Sequence, residues 1–215
     1  MSDTAQKNNF LLALGGLSGS GKTTAAHAIA KKLKDTRGIE AVVLESDPIR
    51  KDILGVPHTT RLGKDGYTWE VTKQVIAEMN RRTEELLAEG KSVIWTSTLV
   101  AENQRKEKED YAQQAGVAFA GFWLETHEDV LIDRVTKRAE TGTDASDATA
   151  EIVKMQIAQQ KTVTDWPKID AGRSIDTVAQ DIISEMEKRK LIAPQAAPEQ
   201  CNFRIPQKRR YGPRA

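Results

Sequence analysis

A single cysteine in 215 residues, Cys201, leaves no partner for an intramolecular disulfide and no thiolate pair for a zinc site. That usage suits a reducing cytosol, and a cytoplasmic location is expected. The three histidines, His27, His58 and His127, show no metal-ligand spacing, so each is read as a structural or surface residue. No apolar run approaches the ~20 residues needed to span a bilayer. The start, "MSDTAQKNN", is polar and lacks the apolar stretch of a signal peptide. No G-x-S-x-G occurs, which removes support for an α/β-hydrolase. Charge of one sign is lacking too: 32 Lys and Arg face 31 Asp and Glu, a net charge of +1. Global electrostatics therefore push the chain toward neither nucleic acid nor membrane.

What remains is a soluble globular balance, 29% charged and 39% hydrophobic, long enough for one ordinary domain. Short apolar runs alternate with helical patterns. "NFLLALGG" is continuous rather than alternating and predicts a strand buried on both faces. A helix over Lys22 to Lys34 follows, then "AVVLE" as a second buried strand. Pro48 suits the first turn of a short helix, with Asp47 placed as its cap. A loop from His58 to Gly66, a long helix from Trp69 to Glu89, the strand "SVIWTST" and a polar helix ending at Gly116 come next. Then come the strand "VAFAGFWLE", a helix from about Glu128 to Glu140, the loop "TGTDASDAT" and a helix from Ala148 to Thr164. "RSID" reads as a short last strand, and Thr177 to Lys190 as the last helix.

This alternation, with connections too long for hairpins, predicts an α/β fold: a doubly wound, mostly parallel five-stranded sheet covered on both faces, with a helical lid. Residues 1–8 are expected to be a flexible N-terminus, 9–192 the domain and 193–215 a disordered tail. The tail carries prolines and then Arg204, Lys208, Arg209, Arg210 and Arg214. Its charge could attract nucleic acid or another polyanion, though such ends are usually solvated appendages.

The strongest signal is Gly16-Leu17-Ser18-Gly19-Ser20-Gly21-Lys22-Thr23, followed by Thr24, which satisfies G-x-x-x-x-G-K-[ST] in full. Glycines let backbone N–H groups approach phosphate oxygens, and the helix opening near Lys22 turns its positive end toward the anion. Lys22 supplies charge to the β- and γ-phosphates, and the Thr23 hydroxyl can ligate Mg²⁺. A buried strand before the motif and an amphipathic helix after it set it apart from a mere Gly/Ser turn.

Together, "GLSGSGKTT", "ESDPIRK" and "DASDA" resemble a bacterial family of P-loop predicted kinases, often labelled AAA-family ATPases, over about Asn8 to Lys190. Some members sit behind aminoglycoside-phosphotransferase-like domains. The layout is also similar to gluconate kinase, adenylylsulfate kinase, chloramphenicol phosphotransferase and the 5′-kinase domain of polynucleotide kinases. The resemblance implies a small-kinase fold, ATP with Mg²⁺, and phosphoryl transfer to a hydroxyl of a small-molecule acceptor. Two alternatives stay open: a polynucleotide 5′-kinase, and a nucleotide-dependent switch with slow hydrolysis.

Asp47 follows the second strand at its carboxyl edge and can accept or orient the proton of an attacking hydroxyl, the role of its counterpart in similar kinases; helix capping is the other reading. Arg50, one turn on, either grips the acceptor or is a solvated helix-face arginine. Thr96 stands where many relatives carry a Walker B aspartate, so direct carboxylate support of Mg²⁺ is in doubt. Thr98 and Arg105 match substrate-side positions of the family, although "ENQRKEKED" is also an ordinary charged helix face. Glu125 is a weaker candidate for the metal's outer shell.

Arg134 and Arg138 project from one helical face before the loop. In similar kinases such arginines close over the ATP phosphates; the other reading is a solvated helix. Ser146 and Asp147 are at least helix caps, and Ile175 to Thr177 contact adenine by family position. Trp69, Trp95, Trp123 and Trp166 are read as core or loop packing.

Overall fold

The structure is a computed structural model that describes residues 9–141, 145–160 and 162–195. The N-terminal eight residues, the tail from 196 onward with Cys201 and its five basic residues, and the middle of the "TGTDASDAT" loop lie outside the described residues.

β1 (Phe10–Gly15) is buried along its whole length, as its unbroken apolar run demands. Phe10, Leu12 and Leu14 enter one core layer, with Ile29 and Leu33 of α1 (Lys22–Arg37) and Ile182 and Met186 of α7 (Ile175–Lys188). Leu11 and Ala13 enter the opposite layer, with Val75 and Met79 of α3 (Trp69–Ala88). Period-two alternation with apolar residues on both sides is what a strand between two helical layers requires.

β1 pairs in parallel with β3 (Ser92–Thr96) on one side and β4 (Ala118–Glu125) on the other, Leu11 facing Val93 and Phe119. β2 (Ala41–Glu45) and β5 (Lys168–Asp170) form the edges, giving the order β2-β3-β1-β4-β5 with every pair parallel. α2 (Ser46–Leu54), a 3-10 turn (Lys64–Tyr67), α4 (Glu102–Ala115), α5 (Glu128–Thr141) and α6 (Ala150–Gln159) complete the domain. The chain crosses β1 between β3 and β4, so the winding changes direction there. Open α/β sheets bind ligands outside the carboxyl ends of their strands at such a point.

Several sequence expectations need correction. β2 is an edge strand in which only Leu44 is fully buried. "RSID" is not a strand: Ser174 is the N-cap of α7 and accepts from the Thr177 N–H, while the last strand is "KID". α6 is shorter than expected; Thr149 caps it, and the chain is extended again at Gln160. Neither Ser146 nor Asp147 is therefore its cap. Asp47 does not cap α2, because Glu45 is the N-cap and Asp47 lies inside the first turn.

Trp95, Trp123 and Trp166 are buried as expected, and Trp166 covers Gly121, where an added Cβ would sit 2.3 Å from its ring. Trp69 is 65% exposed, with Lys73 Nζ 5.6 Å from its ring centroid. The histidines are exposed beside carboxylates: His27 by Glu45, His58 by Asp52, His127 by Asp129.

Candidate active site

The "GLSGSGKTT" segment forms the turn from β1 into α1 at the carboxyl edge of the sheet. Its glycines are demanded by space as well as by dihedral angle. Gly19 has φ +83°, and a Cβ there would sit 2.7 Å from the Leu131 carbonyl oxygen; Gly16 is hemmed in by Ser20 and Leu124. Gly21 is the N-cap of α1 and offers no side chain to its first-turn amides, and that turn holds no acidic residue. Uncapped amides with a positive helix end form an anion cradle.

Lys22 folds back over this cradle, donating to the Gly16 carbonyl at 2.8 Å, the Leu17 carbonyl at 2.9 Å and the Ser20 hydroxyl at 3.4 Å. Burial pushes its ammonium down to about 8, opposed by the field of Asp47. One cradle amide is already taken. Ser18 N–H donates to Gln156 Oε1 at 2.9 Å, and Gln156 Nε2 donates back to the Ser18 hydroxyl at 3.1 Å.

The cradle opens into a cavity of about 1150 Å³. Ser18, Gly19 and Gly21 through Thr24 line it, whereas Gly16, Leu17 and Ser20 form the buried back of the turn. Asp47, Arg50, Thr98, Arg134 and Arg138 line it as well. Four segments distant in sequence thus meet at the carboxyl edge of the sheet.

Burial raises the Asp47 carboxyl above its ordinary range, while a hydrogen bond from Ser146 and the charges of Arg50 and Lys22 oppose that shift. Arg138 Nη2 also donates to Ser146, at 3.1 Å, so one hydroxyl links Arg138 to Asp47. Arg134 braces the cradle instead, donating to the Gly19 carbonyl at 3.3 Å and the Ala171 carbonyl at 3.1 Å. Arg50 is buried, not solvated: Nη1 donates to the Gly66 carbonyl at 3.0 Å, and the guanidinium stacks 4.6 Å from the Tyr67 ring centroid. Thr98 fixes the cradle through its carbonyl, which accepts from Gly16 N–H at 3.1 Å.

Two expected residues and one expected segment are not brought to the cavity. Arg105 is buried behind its wall, donating to Asp165 at 2.7 Å and to the carbonyls of Leu99 and Val100 at 2.8 and 3.0 Å. It braces the chain where Leu99 adopts φ +47°, a conformation unfavourable for a side chain with a Cβ. Glu125 is exposed and paired with Lys168 at 2.9 Å, away from the cavity. The segment from Ile175 to Thr177 opens α7 and does not line the cavity either.

Sequence reasoning missed four residues. Lys51, fully buried, donates to Asp147 Oδ1 at 3.2 Å and to the His58 carbonyl at 2.8 Å. Tyr67 donates to the other oxygen of the same carboxylate. Lys108 and Gln156 line the cavity from α4 and α6. No local signal marked them, because the partner of Lys51 and Tyr67 is remote in sequence.

Thr96, at the missing Walker B position, is buried and donates to the Leu44 carbonyl at 3.3 Å. Among the described residues no group of three or more His, Cys, Asp or Glu gathers into a metal cage. Mg²⁺ needs none: it retains waters and takes one or two protein oxygens plus substrate phosphates. The Thr23 hydroxyl and the Asp47 carboxylate, both on the cavity wall, fit that sparse hard-oxygen set. No helix among the described residues is long and apolar enough to cross a membrane.

Residues 11–163 match the model of a family described as AAA domain. An uncharacterized protein of Mycobacterium tuberculosis is 31% identical over 173 residues, which are 78% of this chain and 31% of that protein. The chain thus spans about a third of the length of the mycobacterial relatives it matches. The adenylyl-sulfate kinase of Myxococcus xanthus is 26% identical over 193 residues, 87% of this chain and 96% of that enzyme. The structure of the Mycobacterium tuberculosis APS kinase CysC in complex with AMPPNP and APS superposes with a TM-score of 0.62 at 22% identity, covering 83% of this chain and 98% of that one. The likeness fixes the fold as that of a P-loop kinase.

Proposed function

The chain belongs to the AAA domain family, and from that premise we propose that it moves the γ-phosphoryl group of ATP to a hydroxyl of a small molecule. The observation that carries this reading is the placement of Asp47. It stands on the wall of the same cavity as the phosphate cradle, in the field of Lys22, with its carboxyl raised toward the range of a proton acceptor.

In this reading the cradle amides and Lys22 take the phosphates, and Lys22 exchanges the carbonyls of Gly16 and Leu17 for phosphoryl oxygens. Gln156 gives up Ser18 N–H. Asp47 orients the acceptor hydroxyl and takes its proton as the acceptor oxygen bonds to the γ-phosphorus. The bond from that phosphorus to the bridging oxygen breaks, and its electron pair leaves with ADP. Arg138, held through Ser146, and Arg134, held on the cradle, offset the charge that develops. Thr23 and Asp47 would hold Mg²⁺, which would supply charge neutralisation on the phosphates.

The test is transfer of labelled γ-phosphate from ATP with Mg²⁺ to pooled acceptors: sugars and sugar acids, hydroxylated antibiotics, nucleosides and 5′-hydroxyl oligonucleotides. Labelled product that disappears in Lys22→Ala supports the kinase, and the pool that yields it gives the acceptor class. Product confined to the oligonucleotide pool would favour a polynucleotide kinase. ATP binding without transfer to any pool would favour the switch.

A further inference from the structure

Lys108 is a charged group on the cavity lining that phosphoryl transfer leaves unused. It projects from α4 on the face it shares with Arg105 and Ala112, and it is 4% exposed. Its ammonium donates to Asn80 Oδ1 at 3.2 Å and stands 3.7 Å from the centroid of the Trp95 ring. Among the described residues no carboxylate lies within 4 Å of it. An ammonium has three N–H donors, and one hydrogen bond with one aromatic face leaves it under-satisfied in a place where water is scarce. Burial accordingly pulls it down to about 8, with only the neighbouring Glu107 opposing.

Two other residues of the same cavity lining each carry a buried donor without a partner. The buried side-chain polar atoms without a partner among the described residues are Asn9 Oδ1, Arg50 Nε, Trp95 Nε1 and Thr126 Oγ1. Arg50 and Trp95 both line this cavity, and both orphans are N–H groups. Native proteins rarely leave such groups unpaired, so each calls for an unseen partner. The lining also includes the apolar side chains of Val75, Ile76, Met79 and Leu99. A buried cation and two spare donors on a partly apolar lining suit a ligand that brings acceptor oxygens and negative charge.

We propose that the acceptor of this enzyme carries an anionic oxygen group (carboxylate, sulfate or phosphate) that seats on Lys108, while its hydroxyl meets Asp47. The inference rests on the kinase reading and extends it to the chemical class of the substrate. Lys108 is then a specificity residue: a neutral acceptor leaves its cost unrelieved, and an anionic one removes it. A charge-assisted hydrogen bond in such a site discriminates by about tenfold or more.

The experiment uses the full chain with ATP and Mg²⁺ and compares acceptors on a common scaffold. Glucose is set against gluconate, glucose 6-phosphate and glucose 6-sulfate, and adenosine against adenosine 5′-phosphate. The expected result is a kcat/KM for an anionic member at least about tenfold above its neutral parent, carried mainly by KM. Lys108→Met should bring that ratio toward one, and Lys108→Arg should keep part of it. Preference for the neutral parent, or a ratio unchanged in Lys108→Met, overturns the proposal and leaves the kinase reading intact.

A binding measurement separates the two readings if no acceptor on these scaffolds is phosphorylated. Tryptophan fluorescence is followed as gluconate, glucose 6-phosphate and inorganic sulfate are added without nucleotide, with Trp95→Phe identifying the reporter. A saturable change lost in Lys108→Met and retained in Lys108→Arg establishes the anion site and counts against the kinase. No Lys108-dependent change overturns the site. Thermal unfolding of Lys108→Met guards the comparison: replacing a poorly paired buried ammonium by an apolar chain of similar length should leave the fold at least as stable.

Discussion

The Tyr67 hydroxyl donates to Asp147 Oδ2 at 2.7 Å, tying the 3-10 turn on one flank of the cavity to the segment before α6 on the other. Lys51 holds the second oxygen of that carboxylate from beneath, itself fully buried. Removing one member of a buried ion pair strands the other. Asp147→Ala should therefore cost about 3–5 kcal/mol of stability. Tyr67→Phe, at a partly exposed hydroxyl, should cost only about 1 kcal/mol. Urea unfolding of both variants checks the ranking; equal costs would mean that Lys51 finds another partner.

Asp47→Asn keeps the shape of the side chain and removes its basicity. Phosphoryl transfer should fall about 10²- to 10⁴-fold while ATP binding is retained. Steady-state kinetics paired with nucleotide titration reads both quantities. Intact transfer in this variant would remove Asp47 from the chemistry.

Nucleotide affinity should depend on alkaline pH through Lys22. The ligand-free ammonium lies near 8 because burial disfavours its charge, and bound phosphate would hold its proton more firmly. Binding is thus unaffected by this group below about pH 8. Above that it must take up a proton, and affinity should fall by about tenfold per pH unit. Lys22→Arg should abolish the dependence. A fluorescent-nucleotide titration from pH 6 to 10 gives the curve; an affinity flat through pH 9.5 would contradict the assignment.

Gln156 occupies Ser18 N–H, an amide that the phosphate would otherwise take. Gln156→Ala frees it. Nucleotide should then bind about fivefold more tightly, the worth of roughly one neutral hydrogen bond. Weaker binding would show that Gln156 itself contacts the nucleotide.

The fold and the cradle were legible because their signals are local. The unbroken apolar run of β1, the spacing from Gly16 to Thr23 and the alternation of strand and helix each need only neighbours in sequence. The placement of Asp47 and Arg50 on the cavity lining was legible for the same reason, since both lie just past a strand end. The partners that decide the other side chains are remote. Arg105 is claimed by Asp165, 60 positions away, and Lys51 by Asp147, 96 away. A charged helix face in sequence thus proved to hold Arg105 and Lys108 buried, because α4 turns them toward the sheet. "RSID" misled because a three-residue edge strand carries no periodicity, whereas Ser174 before an apolar stripe carries a cap signal.

Phosphoryl transfer to an acceptor is read most directly from the ratio of ADP released to phosphorylated acceptor formed, measured with acceptor present and absent. A kinase gives about one ADP per phosphorylated product and much slower ADP release without acceptor. That result is expected, with both products lost in Lys22→Ala. ADP and free phosphate released at the same rate whether or not any acceptor is present would contradict it.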